Sequence, residues 1–377
     1  MGSRQRVAIT GANGYAGAQI ARAIERRGHT VIELIRRPEP GAPRAQVAFD
    51  LERGVNPETL RACRADALVH TAWDFRARGL DALRRVNREG AVRLFDAFLQ
   101  AGGRTGVFIS TIAAFDGCRS DYGRVKYETE REALARGFRV VRPGLIRGGT
   151  PGGIVGMMLR LVRRLPVVPI LGYGRRVLNP IEAEVLGDSV AQLVERESAG
   201  PGEALIVVAR PGRLSLDEIV RDMIAEHGLG RRLLIPVPWW PVWLALRLAE
   251  ALHLPTGLRS DSVISLMNQD PDPPIADHPW FHPDRPWPIE PSSARGLMPC
   301  QAPDVKAQDP HEEAREGDLD PQRQRQPGRD HDPERSGRVE LPIAVASPVG
   351  EGRDRPSQPG DDQGFADRHA DLERDVP

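Results

Sequence analysis

Short apolar segments alternate with longer amphipathic segments throughout the first 145 residues of the chain. The apolar runs predict strands at 6–10, 31–35, 46–49, 67–71, 106–110 and 138–141. The segments between them have the spacing of helices at 18–27, about 57–64, about 80–100 and 121–136. Strands that are apolar throughout are buried on both faces, and their alternation with helices is typical of a parallel sheet. The pattern therefore predicts a doubly wound α/β fold.

A glycine-rich turn joins the first strand to the first helix. Gly11, Gly14 and Gly17 follow the strand directly and open the helix. In this context the first glycine permits a tight turn, the second lets backbone N–H groups approach a phosphate, and the third lets the helix pack on the strand. The helix N-terminus then faces the negative charge. We interpret the turn as a dinucleotide pyrophosphate site, with an ordinary glycine-rich turn as the alternative.

The G-x-x-G-x-x-G spacing of this turn resembles that of the short-chain dehydrogenase/reductase superfamily, in its extended branch of NAD-dependent epimerases and dehydratases. The resemblance extends over roughly residues 5–290. It implies a Rossmann-type fold in which residues 1–145 bind NAD(P) and residues 146–290 form a smaller substrate-binding part interleaved with that core. It also implies a Tyr-x-x-x-Lys motif further along, preceded by a Ser or Thr at a strand end.

Tyr122 and Lys126 meet that requirement. The chain has only four Tyr and two Lys, so a chance match is expected about 0.02 times. Four residues apart on a helix, the two side chains lie on one face, about one turn from each other. A nearby ammonium and a positive nicotinamide ring favour phenolate, so we expect a lowered Tyr122 pKa and an acid/base role. A surface Tyr and Lys pair is the alternative.

The expected catalytic hydroxyl lies at the end of the strand at 106–110. By resemblance it is Thr111, with the neighbouring Ser110 as runner-up and substrate contact. The alternative is that both hydroxyls only satisfy backbone groups at a strand end. The sugar-nucleotide 4,6-dehydratases have an Asp-Glu pair directly after this threonine, whereas this chain has Ile112 and Ala113. We therefore do not expect a dehydratase of that type.

The resemblance assigns further cofactor contacts along the same edge of the sheet. Asp50 would contact the adenine, or else cap its own loop, and Asn87 would help to position the lysine through a local kink, or else be an exposed helix residue. Thr71 and Ala72 belong to the turn beneath the nicotinamide ribose. The complete predicted cofactor set is Gly11, Asn13, Gly14, Tyr15, Gly17, Arg36, Asp50, Leu51, Thr71, Ala72, Asn87, Lys126 and Pro143.

The end of the second strand decides which cofactor is bound. An acidic residue there would bind a free ribose 2′-hydroxyl, whereas an arginine accommodates a 2′-phosphate. The strand ends in Arg36 and Arg37, and Glu33 lies earlier, within the strand. We therefore favour NADP, with NAD as the second choice.

Residues 146–290 carry fewer signals. By resemblance, Arg175 would bind the diphosphate of a substrate; the alternative is that it belongs to a solvated basic loop. The expected substrate is therefore similar to a nucleotide sugar. Trp239, Trp240 and Trp243 begin a predicted helix on which Leu244, Leu248 and Leu252 form an apolar stripe. We expect core or lid packing of this stripe rather than membrane contact.

The charges of the chain are divided unequally. It has 52 basic and 52 acidic side chains in all, but residues 291–377 hold 12 basic and 19 acidic ones. This tail has 12 prolines and a single aromatic residue, Phe365. Such a segment is expected to be disordered, because it has little apolar surface to bury. An alternative is an out-of-frame extension, which the use of 50 Arg against two Lys suggests.

Several classes of protein and site are not expected. A net charge of zero gives no overall attraction to nucleic acid. The longest apolar run is broken by prolines, so we expect no membrane span. Three scattered cysteines indicate neither disulfides nor a metal site, and the chain runs from Met1 straight into a strand without a leader. We expect a cytoplasmic protein, with a second copy of the chain as a candidate partner.

Taken together, the residues predict an NAD(P)-dependent oxidoreductase or epimerase. Hydride would move between the nicotinamide and a carbinol or carbonyl carbon, with Tyr122 as the acid/base. A non-catalytic NADP(H)-sensing or scaffold protein on the same fold is the alternative, although an intact Tyr122 and Lys126 favour the enzyme.

Overall fold

The computed structural model describes residues 4–149, 152–174, 176–196, 204–210, 212–254 and 256–275. Its strands are β1 Arg6–Thr10, β2 Thr30–Ile35, β3 Ala45–Ala48, β4 Ala67–His70, β5 Thr105–Ile109, β6 Arg139–Pro143, β7 Leu145–Arg147, β8 Val167–Leu171, β9 Val177–Leu178, β10 Pro180–Glu182, β11 Leu205–Val208, β12 Leu214–Ser215 and β13 Leu233–Val237. Its helices are α1 Tyr15–Arg26, α2 Pro57–Cys63, α3 Leu80–Leu83, α4 Glu89–Gln100, α5 Asp121–Ala135, α6 Gly153–Arg164, α7 Ala183–Glu195, α8 Leu216–Glu226, α9 Trp239–Ala251 and α10 Ser260–Met267.

Seven parallel strands form the central sheet, in the order β11-β6-β5-β4-β1-β2-β3. The order reverses at β1 and β4, and the crevice outside the carboxyl ends of such strands is where doubly wound sheets bind ligands. The predicted Rossmann-type α/β fold is confirmed. Six of the strands come from the predicted 1–145 region, whereas β11 comes from the second half of the chain.

Helices cover both faces of this sheet because successive strand residues point to opposite sides. Val7 and Ile9 pack with α1 and α7 on one face, and Ala8 packs with α2 and α4 on the other. The second face is rich in aromatic residues, which are fully buried: Phe95, Phe98, Phe108 and Phe138. Each such side chain contributes about 2 to 3 kcal/mol of hydrophobic stabilisation.

The long helix predicted at 80–100 is interrupted. It consists of α3, a π-helical turn at Arg84–Arg88 and α4. Just after the π turn, Gly90 lies against the backbone of Leu51, where an added Cβ would be 2.3 Å from the Leu51 carbonyl oxygen. Glycine at this position therefore lets α4 approach the loop after β3.

The second half of the chain builds a core of its own. β8 pairs in parallel with β13, and helices α6, α8 and α10 pack around that pair. The buried side chains of this core include Leu159, Val162, Ile170, Ile219, Met223, Val263 and Leu266.

The structure corrects one prediction in this half. Leu244, Leu248 and Leu252 are between 44% and 69% exposed rather than packed, and no residue of α9 is buried. Trp243 and Leu246 face the core instead. Arg247 and Glu250 are the only charged residues of α9, so apolar residues lie on every side and the pattern does not single out a face.

Some predictions fall outside the described residues. They include Arg175 and the whole 291–377 tail. In the part that the structure covers, no helix combines the length and the apolar character needed to cross a bilayer.

Candidate active site

A cleft of about 1200 Å³ opens at the carboxyl ends of the sheet strands. One half is lined by the glycine-rich turn and the ends of β2, β4 and β5, and the other half by α6, α10 and the turn before α10. Every predicted cofactor residue except Asn87 lines this cleft, as do Ser110, Thr111 and Tyr122.

The glycine turn is packed so tightly that it requires glycine at two of its positions. Gly11 has φ +68°, and a Cβ there would lie 2.6 Å from the Thr71 hydroxyl oxygen. A Cβ on Gly17 would lie 2.1 Å from the Gly11 carbonyl oxygen. The backbone N–H of Gly14 donates to that same carbonyl at 2.8 Å. The roles predicted for a tight turn and for close helix packing therefore match the geometry.

Helix α1 presents an N-terminus suited to an anion. Its N-cap is Gly14, with no side-chain cap and no acidic residue in the first turn. Backbone N–H groups and the helix dipole at such an end favour a phosphate. Tyr15, the first residue of α1, donates its hydroxyl to the Gly148 carbonyl at 2.6 Å and so ties the turn to the second half. Burial raises the pKa of Tyr15 above its ordinary value.

The ends of β1 and β4 are fastened together beneath the turn. Thr71 donates its hydroxyl to the Thr10 carbonyl at 2.6 Å, and the Ala72 N–H donates to the Thr10 hydroxyl at 3.2 Å. His70 lies 2.7 Å from the Thr10 hydroxyl, and burial lowers its pKa to about 3. His70 is therefore neutral at physiological pH and serves to hold the strands in register.

The N-terminus of α5, which carries Tyr122, is capped twice. The Ser120 hydroxyl accepts from the Gly123 N–H at 3.0 Å. The Asp261 carboxylate, from α10, accepts from the N–H groups of Asp121 at 2.8 Å and Tyr122 at 3.0 Å. Asp261 therefore connects the second half of the chain directly to the backbone of the candidate catalytic tyrosine.

Tyr122 is enclosed by aromatic residues. The Trp73 ring lies edge-on at 5.2 Å and the Phe75 ring stacks at 6.1 Å. Burial, opposed by a hydrogen bond with Thr111 and assisted by the charge of Asp261, raises the pKa of Tyr122 to about 12. The residues of the chain by themselves thus shift this pKa upward, whereas the lowering was predicted for a site that also holds a positive nicotinamide ring.

Lys126 is buried one turn further along α5. Its Nζ donates to the Ile109 carbonyl at 2.8 Å and lies 4.5 Å from the centre of the Trp73 ring. Burial lowers its pKa to about 7, and the Glu130 carboxylate raises it in opposition. The alternative of a surface Tyr and Lys pair is therefore wrong, because Lys126 is only 3% exposed and Tyr122 lines the cleft.

Asn87 acts on a loop of the cleft. Its side chain accepts from the Asp74 N–H at 2.6 Å and donates to the Asp74 carbonyl at 3.2 Å. It lies within the π-helical turn and is 1% exposed, so the alternative of an exposed helix residue is wrong. By holding Asp74 it fixes the adjacent Trp73, over which the Lys126 ammonium lies.

The residues near the expected adenosine half differ in whether their side chains already have hydrogen-bond partners. Glu33 lies within β2 and accepts from Arg44 at 2.8 Å and from Gln46 at 2.9 Å, so it is already engaged. Arg36 follows β2 and lines the cleft. Asp50 also lines it, although one of its carboxylate oxygens accepts from the Glu52 N–H at 2.8 Å and so caps its own loop.

Several residues that build the site were not predicted. Trp73 and Phe75 flank Tyr122, and Arg259 donates to the carbonyls of Phe75 and Ala77, both at 3.0 Å. Behind the site, the buried Glu130 forms a two-pronged ion pair with Arg142. Arg142 could have been noticed in the sequence as a charged residue within an apolar strand. Nothing in the sequence indicates that Asp261 or Arg259 lies near Tyr122. In the described ranges no three His, Cys, Asp or Glu side chains are grouped so as to hold a metal.

The sheet order, the glycine turn and the cleft at the carboxyl ends of the strands define a Rossmann-type α/β fold. Residues 7–134 match the model of the NAD dependent epimerase/dehydratase family. The predicted resemblance to that family is therefore confirmed over this region.

Among curated proteins, the chain is similar to a ceramide reductase of Caulobacter vibrioides (strain NA1000 / CB15N). The two are 33% identical over 198 residues, which are 50% of this chain and 59% of that protein. The chain thus spans less than two thirds of the length of this relative.

Among solved structures, the chain resembles MoeE5 in complex with UDP-glucose and NAD, with a TM-score of 0.51 and 22% identity, over 62% of this chain and 85% of that one. It also resembles DesIV, a dTDP-glucose 4,6-dehydratase from Streptomyces venezuelae with NAD and TYD bound. That match has a TM-score of 0.51 and 17% identity, over 62% of this chain and 84% of that one. At these identities the likeness concerns the fold.

Proposed function

We propose that this chain is an NAD(P)-dependent oxidoreductase that reduces a ketone to an alcohol, with Tyr122 as the proton donor. One observation carries the proposal. Tyr122, Thr111 and Lys126 meet at the carboxyl ends of the sheet strands, in the same cleft as a glycine turn and a helix N-terminus suited to a pyrophosphate.

In the chain by itself the Tyr122 hydroxyl holds the proton that a reduction needs. Burial raises its pKa to about 12, so the hydroxyl is protonated at neutral pH and available to a carbonyl oxygen. A dihydronicotinamide held in this cleft would supply the hydride that the carbonyl carbon receives. Tyr122 gives its hydroxyl proton to the carbonyl oxygen and becomes phenolate, while Thr111 donates a hydrogen bond to that oxygen. The bonding electrons of the C=O π bond thus end in the new O–H bond.

The cofactor of this proposal is NADP(H). Arg36 ends β2 at the place where a ribose 2′-phosphate would lie, and the only acid nearby on the strand, Glu33, is held by Arg44 and Gln46. The Gly11–Gly17 turn and the N-terminus of α1 would hold the pyrophosphate. Lys126 and Thr71 would face the nicotinamide half.

The substrate half of the cleft supports a ketone with a long apolar portion. Its lining includes apolar residues from α6, α10 and the turn between α9 and α10: Ile154, Val155, Met157, Leu254, Leu258 and Leu266. The relative named ceramide reductase is consistent with such a substrate. The nucleotide-sugar-like substrate predicted from the sequence is the second candidate, supported by Arg160 in the same lining and by MoeE5, which was solved with UDP-glucose.

A substrate panel tests this proposal. NADPH oxidation is measured for the full-length protein with a ceramide whose chain hydroxyl is oxidised to a ketone, with a short water-soluble ketone, and with UDP-glucose in an epimerisation assay. Tyr122→Phe is compared with Tyr173→Phe, a control at a tyrosine that is 61% exposed. Ketone reduction that depends on Tyr122 supports the proposal, and Tyr122-dependent turnover of UDP-glucose alone supports the second candidate. NADPH binding without any Tyr122-dependent turnover would instead indicate the non-catalytic sensor.

A further inference from the structure

Large apolar side chains are exposed on adjoining elements of the second half. They lie on β8, β13, α9 and the turn after α9, and their exposure runs from 40% at Trp239 to 69% at Leu252. We call this set the apolar surface. Its members are Val167, Leu233, Ile235, Trp239, Trp240, Leu244, Leu248, Leu252 and Leu254.

The members of the apolar surface form a line along α9 and a cross-strand pair on β8 and β13. Trp240, Leu244, Leu248 and Leu252 recur every fourth residue, so they form one line along α9 and the turn that ends it. Leu233 is paired with Val167 across the β8–β13 ladder, and both are exposed on the same face. Isolated exposed apolar residues are ordinary, but a continuous series of this kind marks a contact surface.

The segments around these elements are basic, although β8 and β13 themselves hold no charged residue and α9 holds only Arg247 and Glu250. Residues 152–181 and 227–249 contain eight arginines and no Asp or Glu. Arg163 and Arg164, at the end of α6, and Arg231, just before β13, are exposed beside the apolar surface. The remaining arginines of the two segments are Arg160, Arg175, Arg176, Arg232 and Arg247. A partner for this surface therefore needs both apolar groups and negative charge.

The apolar surface also continues into the cleft. Leu254 belongs to both, and Leu258, a few residues further on, lines the cleft. Helix α6, whose end carries Arg163 and Arg164, contributes Ile154 and Met157 to the lining. Whatever covers the apolar surface therefore lies next to the mouth of the candidate active site.

We propose that the apolar surface docks on an anionic phospholipid bilayer. Tryptophan and leucine side chains enter the boundary between headgroups and acyl chains, and the flanking arginines lie at the level of the phosphates. The docking does not depend on the reaction. Entry of a lipid-like ketone from the bilayer into the cleft rests on the proposed function.

Two other occupants fit less well. A second copy of the chain would bring the exposed Arg163, Arg164 and Arg231 toward an identical set of like charges, which is repulsive. The 291–377 segment is acidic but has only Phe365 as an aromatic residue. Its one sustained apolar stretch, 341–349, is nine residues long and contains two prolines, so it is a poor match for a row of tryptophans and leucines.

Vesicle flotation with the full-length protein tests the docking. Vesicles of phosphatidylcholine alone are compared with vesicles containing about one third phosphatidylglycerol, at low and high salt. We expect binding to the anionic vesicles that is at least tenfold tighter than to the neutral ones and that weakens as salt is raised. Failure of the wild-type protein to float with anionic vesicles would overturn the proposal.

Matched variants identify the surface responsible. Trp240→Ser/Leu244→Ser/Leu248→Ser should reduce vesicle binding at least tenfold. The control Leu99→Ser, at a residue of α4 that is 39% exposed, should bind as the wild type does. All variants should retain NADPH binding, which shows that they are folded. Equal vesicle binding by both variants, or a dimer in size-exclusion chromatography that the triple variant converts to a monomer, would contradict the docking. Vesicle binding needs no substrate, so its failure is distinguishable from failure of the reductase proposal on the short soluble ketone.

Discussion

Tyr122 is surrounded by groups that keep its hydroxyl protonated. Burial raises its pKa to about 12, Asp261 adds to the effect, and only the Thr111 hydroxyl opposes it. The motif and its order along the chain were readable in the sequence. The direction of the pKa shift was not, because it arises from Asp261 and from the enclosing Trp73 and Phe75, which distant segments supply.

In the proposed function, Arg36 is the residue that selects NADPH over NADH. We expect Arg36→Ala to weaken NADPH binding about 10- to 100-fold, the value of a charge-assisted hydrogen bond to a phosphate, and to leave NADH binding nearly unchanged. Arg37→Ala, the adjacent residue outside the cleft lining, is the control and should bind both nucleotides as the wild type does. Quenching of tryptophan fluorescence provides the measurement, since Trp73 lines the cleft. An equal loss for both nucleotides would argue against recognition of a 2′-phosphate.

Lys126 gives the protein a characteristic pH dependence of stability. Burial lowers its pKa from 10.5 to about 7 in the folded state, so between these values the unfolded chain binds more protons than the folded one. Stability attributable to this residue therefore rises with pH in that window, by about 2 kcal/mol between pH 7 and pH 9. Urea unfolding of the wild type and of Lys126→Met at both pH values checks this. The difference in unfolding free energy between the two proteins should change by that amount in favour of the wild type; no change would show that the lysine is not buried as a neutral amine.

At the scale of the secondary-structure elements, α5 is held at its N-terminus from two sides. Asp261→Ala would leave the N–H groups of Asp121 and Tyr122 without their acceptors, at a cost of about 1 to 3 kcal/mol. Denaturant unfolding measures the loss. Asp272→Ala serves as the control, because that side chain is 99% exposed and its removal should change stability by less than about 0.5 kcal/mol. Equal effects of the two substitutions would mean that Asp261 does not clamp the helix.

Some elements were easier to foresee than others. Helix α5 and strands β1 to β6 have clear apolar spacing and were predicted close to their observed bounds. The interruption at Arg84–Arg88 was expected only from the resemblance, as a local kink at Asn87, and the outward face of α9 was not expected. The interruption depends on tertiary contacts such as that of Asn87 with Asp74. Helix α9 has apolar residues on every side, so the spacing of its apolar residues does not indicate which face is buried.

At the scale of the whole described molecule, the two halves of the sequence share one site. The second half returns to the sheet through β11, covers α1 with α7, and reaches Tyr122 through Asp261. The first 145 residues carried enough regular pattern to predict the dinucleotide-binding fold. The second half did not, because its strands are two to five residues long and its core is assembled from segments far apart in the chain.

The most direct test of the account is a single-turnover measurement of hydride transfer. Full-length protein is loaded with NADPH that carries deuterium on the transferred C4 position and is mixed with the long-chain ketone, and both the decay of NADPH absorbance and the label in the product are followed. We predict deuterium on the new carbinol carbon, a rate in Tyr122→Phe lower by about 10² to 10⁴, and an unchanged rate in Tyr173→Phe. Transfer by Tyr122→Phe at the wild-type rate, or tight NADPH binding with no label in any product, would contradict it.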